Sequence, residues 1–313
     1  MTQSTTGPIL LTYDGSESAA TAIAVAGGLL ASREAVVCHA WAGLSRAVFR
    51  ADRDELPSVL REAAEQLDAA DGDAAERVAA DGVRLARDAG FDARPLVVRE
   101  KRKTWRTLLE AADEVGASVV VAGAHGLSGL GRAVLGSVST GLLHHSGRPV
   151  IVVPATVMAE RCSGPLLLCY DGSKPAERAV EVADELCAPR AALLLHVWES
   201  WAAEVSALAG LSETVATMAQ ELDEIADEQS TNCTTRGLEV AERTGFEASG
   251  LSERATGPVW STVLEVAGQH DCAAVVLGSR GLTGISAALG SVSNGVVHHS
   301  RRPVLVVPAE TAP

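Results

Sequence analysis

The chain repeats itself, and this limits what it can fold into more than any other feature. Tyr13-Asp14-Gly15-Ser16 recurs as Tyr170-Asp171-Gly172-Ser173, 157 residues further on. "VVCHAW", ending at Trp41, returns as "LLLHVW", ending at Trp198. "GAHGLSG" from Gly123 returns as "GSRGLTG" from Gly278. "LGSVSTGLLHHSGRPVIVVPA" from Leu135 returns as "LGSVSNGVVHHSRRPVLVVPA" from Leu289. Similarity at a nearly fixed offset is the mark of tandem duplication. The two expected domains are 1–155 and 164–313, with the boundary in "ATVMAERCSG" between Ala155 and Gly164.

Within one copy, short apolar runs alternate with helical stretches. Ile9–Tyr13, Ala35–Ala40, Ala93–Val98, Ser118–Val121 and the run "VIVV" between Pro149 and Pro154 read as strands. Helices are expected from about Glu17 to Ser32, capped by Ser16, and from Ser58 to Ala89, stopped by Gly90. Two more are expected over Trp105–Val115 and Ser137–His145. Continuous apolar strands alternating with helices predict an α/β domain, with helices on both faces of a parallel sheet.

Composition removes several classes of function. A formal net charge of −14 over 313 residues opposes a protein that grips phosphate backbones, so no nucleic-acid partner is expected. The short basic run Arg99 to Lys103 is interrupted by Glu100 and reads as a solvated loop. No apolar run approaches the roughly 20 residues of a membrane span, and the start carries no signal-peptide pattern. No membrane partner and a cytoplasmic location are the expectation. The six cysteines form no CxxC pair and sit among apolar neighbours, as small buried hydrophobes in a reducing compartment do.

The stretch "AGAHGLSGLGRAVLGSVS", from Ala122 to Ser139, holds five glycines in eighteen residues between a strand and a helix. Ligands of open parallel sheets sit beyond the carboxyl ends of strands, where the strand order reverses. Gly123 and Gly126 permit close backbone approach, and Gly136-Ser137 opens a helix whose amides and dipole suit phosphate. Asp14, at another strand end, suits a ribose hydroxyl or an adenine donor better than a phosphate. Gly131-x4-Gly136-Ser137 fails as a P-loop because no lysine follows Gly136, where Ser137 and Val138 stand instead. A purely structural reading also stands, in which the glycines shape a turn and Asp14 caps a helix.

"YDGS" after the first strand, "GAHGLSGLGRAVLGS" after the fourth and the ending "SVS…HHSGRPVIVV" resemble the universal stress protein family. Its ATP-binding members carry G-x2-G-x9-G-[ST], a spacing that Gly123, Gly126, Gly136 and Ser137 satisfy. The resemblance covers nearly the whole chain, twice. It implies a doubly wound, five-stranded parallel sheet in each domain, in the order 3-2-1-4-5. It implies ATP, with Mg2+, as ligand. Asp14 and Asp171 would take ribose, flanked by Thr12 and Cys169, while Ala40 and Val197 would reach adenine through the backbone. Gly123, Gly126, Gly136, Ser137 and Val138 would hold phosphates, and Gly278, Gly281, Gly290, Ser291 and Val292 stand in their places in the second copy. That copy departs from the pattern. Only eight residues, Leu282 to Leu289, separate Gly281 from Gly290-Ser291, and Arg280 replaces His125.

Other chemistry is sparse. Adjacent histidines, as in His144-His145 and His298-His299, point about 100° apart on a helix and have no companion ligands, so no metal site is expected. His39, His196, Trp105 and Trp260 read as packing residues, and no Ser/His/Asp order or G-x-S-x-G occurs. With neither a catalytic lysine nor an evident base, an ATP-binding stress-response regulator is the leading expectation. The alternatives are a slow ATPase or self-phosphorylating protein, or a nucleotide-free scaffold. The final strands "PVIVVP" and "PVLVVP" would lie at sheet edges, which favours their covering each other in an intrachain pseudo-dimer. A homodimer of chains through other surfaces, such as the long second helices, and an unnamed protein client complete the expected partners.

Overall fold

The computed structural model describes residues 6–43, 58–100, 102–125, 135–157, 162–202, 213–279 and 289–309. The chain divides into two compact units, residues 3–159 and 160–313. The first unit runs β1 (Ile9–Thr12), α1 (Glu17–Leu29), β2 (Glu34–Trp41), α2 (Ser58–Asp88), β3 (Asp92–Arg99), α3 (Thr104–Glu114), β4 (Val119–Gly123), α4 (Ser137–His145) and β5 (Val150–Val153). The second repeats the order. Its elements are β6 (Leu166–Cys169), α5 (Lys174–Leu186), β7 (Ala192–Trp198), α6 (Glu213–Thr244), β8 (Ala248–Arg254), α7 (Val259–Gln269), β9 (Ala274–Gly278), α8 (Ser291–His299) and β10 (Val304–Val307).

Each unit is built on a parallel sheet. In the first the order is β3-β2-β1-β4-β5, and in the second β8-β7-β6-β9-β10. The sequence explains which strands are central. β1 and β4 are fully apolar along the paired run, with Leu10 and Val120 in register and both completely buried. Burying each such side chain stabilises the unit by about 1.5–3 kcal/mol. β3 is mostly half-buried or exposed and carries Pro95, which an edge strand tolerates and a central one does not. In the first unit α1 packs with α2 and α3 packs with α4, the pairing a doubly wound sheet requires.

Local chemistry sets the helix ends. Ser16 caps α1 by accepting from the Ala19 amide at 3.2 Å, and Ser173 caps α5 through Ala176 at 3.3 Å. α1 ends at Leu29, short of the expected Ser32. Leu30 turns extended, at φ −98° and ψ 144°, because its completely buried side chain belongs to the core. Gly90, at φ +89°, ends α2, with the Phe91 amide closing on the Ala86 carbonyl at 3.0 Å.

Candidate functional site

Strand order reverses between β1 and β4. From β1 the chain crosses to β2 on one side, and from β4 it crosses to β5 on the other. Beyond the carboxyl ends of these two strands lies a cavity of about 290 Å³. Thr12, Asp14, Ala40, Gly123, Gly136, Ser137 and Val138 all line it. These are all the candidates of the first copy except Gly126, which lies outside the described residues together with Gly281. In the second unit Cys169 ends β6, Asp171 follows it, Val197 is half-buried on β7, Gly278 ends β9, and Gly290, Ser291 and Val292 begin α8.

The Asp14 turn is rigid for reasons visible in its sequence. Gly15 sits at φ +86°, a left-handed conformation that favours glycine, and the Ser16 amide donates to Asp14 Oδ1 at 3.0 Å. Asp171, Gly172 (φ +80°) and Ser173 reproduce the turn, again at 3.0 Å. The carboxylate is thus held half-buried at the strand end. Thr12 ties β1 to β4, its hydroxyl donating to the Val121 carbonyl at 3.0 Å. At the matching position Cys169 has a thiol that burial pushes up to about 12, so it stays protonated.

The glycines divide into two roles. A Cβ on Gly123 would lie 2.6 Å from Ser18 Oγ and 2.8 Å from its carbonyl oxygen, so this glycine lets α1 approach β4. Gly278 makes the same allowance for the Pro175 carbonyl, at 2.9 Å. Gly136 stands at the start of α4, where it is extended (φ −63°, ψ 152°) and has no side-chain cap. Its own amide donates to the Ala124 carbonyl at 2.7 Å, as Gly290 does to Ser279 at 2.8 Å. The amides available to an anion are therefore those of the first turn proper, Ser137 to Ser139, which have no intrahelical partner. Ser139 Oγ fixes that turn to the Gly123 carbonyl at 2.7 Å, and Ser293 does so to Gly278 at 2.8 Å.

Sequence reasoning missed eight lining residues, among them Tyr13, Ala19, Cys38 and Ala122 beside the strand ends. Thr104 and Leu108 reach the cavity from the first turns of α3, and Ser139 and His125 also line it. A helical spacing of four carried the signal for the first pair. The position of His125 between two motif glycines carried it for the last.

His39 and His196, read as packing residues, are half-buried and each meets a tyrosine carbonyl. His39 Nδ1 lies 2.8 Å from the Tyr13 carbonyl, and His196 Nδ1 lies 2.8 Å from that of Tyr170. At the far end of α4 the His145 ring stacks on Trp105 (4.2 Å between centroids, 13° between planes), and His299 stacks on Trp260 (4.4 Å, 18°). Gly141 and Gly295 make room for those indoles. Among the described residues no group of three or more His, Cys, Asp or Glu is arranged to hold a metal ion, and no helix is long and apolar enough to cross a membrane.

The comparisons agree with this architecture. The family model described as "Universal stress protein family" matches residues 5–154 and again 164–308. A universal stress protein of Mycobacterium tuberculosis (strain ATCC 25618 / H37Rv) is 31% identical over 241 residues, 75% of this chain and 77% of the relative. One from Mycolicibacterium smegmatis is 34% identical over 218 residues, 66% of each. The crystal structure of a universal stress protein from Archaeoglobus fulgidus DSM 4304 shares the fold at a TM-score of 0.62 and 20% identity, covering 96% of this chain and 98% of that one. The doubled sheet order, the two Asp-Gly-Ser turns and the double family match lead to one conclusion: the chain belongs to the universal stress protein family, with two successive copies of its domain.

Proposed function

We propose that the protein is an ATP-binding regulatory module whose first unit holds the nucleotide and whose occupancy stabilises one conformation or assembly. The observation that carries this is the convergence of Thr12, Asp14, Ala40, Gly123, Gly136, Ser137 and Val138 on one cavity at the switch point. The half-buried Asp14 carboxylate suits ribose hydroxyls, and the first-turn amides of α4 suit phosphates. Mg2+ would travel with the phosphates and keep several waters. Asp14 is the sole carboxylate of the described lining. No lysine stands among the described lining residues to neutralise a transferring phosphoryl group, and the reading is binding with slow hydrolysis or none. Mass spectrometry of the small molecules released on denaturing the purified protein tests this. ATP at a stoichiometric level supports it, whereas a chain that neither carries nor takes up ATP contradicts it.

Five of the six cysteines are buried, as small hydrophobes are in a reducing compartment such as the cytoplasm. We also propose that β5 and β10, each apolar and each last in its own unit's sheet, cover one another antiparallel as a pseudo-dimer. A V152C/V306C double variant should then cross-link within one chain under mild oxidation. Cross-linking only between chains would contradict it.

A further inference from the structure

His125 has a feature that the binding reading leaves unexplained. It lines the cavity, its backbone amide faces Ser18 Oγ at 3.5 Å, and its Nε2 is buried with no hydrogen-bond partner among the described residues. A buried ring nitrogen left unpaired is costly, and natural proteins seldom leave one without a reason. The same cavity contains the first turn of α4, whose amides attract anions. A ligand phosphate there would supply what Nε2 lacks.

Resting on the ATP reading above, we propose that His125 makes nucleotide binding in the first unit pH-responsive, its imidazolium donating from Nε2 to a phosphate oxygen. The surroundings allow this. The other titratable side chains of the described lining are Asp14 after β1, Tyr13 beside it and Cys38 on β2. Burial pushes the Cys38 thiol up to about 12 and raises Tyr13, with Asp81 and Asp14 adding to the rise, so both stay neutral. Asp14 has its Oδ1 engaged by the Ser16 amide. The helices α1, α3 and α4 present no titratable side chain to the cavity among the described residues. A histidine that gains an anionic partner binds its proton more tightly in the complex. The charge-assisted bond is therefore present at acid pH and lost at alkaline pH. In the second copy Arg280 takes this position and carries its charge at every working pH.

The test is calorimetric titration of the full chain with Mg-ATP at pH 6.0, 7.0 and 8.0, for wild type, H125Q and H125R. The glutamine variant retains the ligand's own titration and removes the imidazole's, so the difference between the profiles isolates His125. We expect wild type to bind about tenfold more tightly at pH 6.0 than at pH 8.0, beyond any change seen in H125Q. H125R should stay tight and flat, and both variants should keep a single cooperative thermal unfolding transition without ligand. Coincident pH profiles for wild type and H125Q would overturn this inference and leave the ATP reading standing. Absence of ATP binding at every pH in wild type would overturn both.

Discussion

The two units keep the same frame and differ where a ligand would touch them. Both use a Ser cap, a left-handed glycine after the aspartate, a histidine on the tyrosine carbonyl and an indole stacked on a helix-terminal imidazole. Both also pin the start of the last strand with an arginine. Arg148 reaches Asp113 and the Ala117 carbonyl, and Arg302 reaches Asp271 and the Cys272 carbonyl. The differences cluster at the site. Thr12 corresponds in sequence to Cys169, His125 to Arg280, and a spacer of nine residues to one of eight. Behind the aspartate turn, Val78 lies near Gly15, whereas Cys233 and Arg236 lie near Gly172. The comparison teaches that packing, and not ligand binding, accounts for much of the repeated sequence. A repeated motif is therefore weak evidence of a repeated function.

Substitutions made in parallel in the two units can break that comparison. The largest effect is expected from Gly136→Val. The backbone there is extended and accepts any residue, so the fold should survive while ATP affinity falls about a hundredfold by calorimetry. Gly290→Val should leave the tight binding event unchanged, and equal losses from both would show two working sites. Next come Gly141→Ala and Gly295→Ala, whose new methyls would lie 2.2 Å and 2.4 Å from the Trp105 and Trp260 side chains. Each should cost about 1–3 kcal/mol in thermal unfolding, to a similar degree, because the frame is shared. The smallest effect belongs to Ser16→Ala and Ser173→Ala, each lowering stability by about 1 kcal/mol through loss of a helix cap. A marked inequality in either frame pair would contradict the claim of a common frame.

Much of this was legible in the sequence because it is local. The strand runs, the Ser16 cap and the Gly90 stop each depend on a few neighbouring residues. So does the placing of Asp14 and Gly136 at strand and helix ends, which the fold then brings to one cavity. What was not legible depends on contacts between distant residues. Gly123 looks like a ligand glycine, yet it makes room for Ser18, and Gly141 inside its helix makes room for Trp105, both residues far away in the chain. The Gly136 amide looks free in a strand-to-helix loop and is taken by Ala124. The end of α1 was misplaced for a similar reason. Nothing in "LLAS" stops a helix, and only the core's need for Leu30 turns the chain. The sheet order came from the family resemblance, since alternating strands and helices alone fit several orders.

The central claim is that the frame is doubled and the nucleotide site is not. Calorimetric titration of the full chain with Mg-ATP at pH 7 tests it most directly. The account predicts one tight binding event per chain, weakened about a hundredfold by Gly136→Val and retained by Gly290→Val. Two equivalent binding events per chain, or a single event removed by Gly290→Val and spared by Gly136→Val, would contradict it.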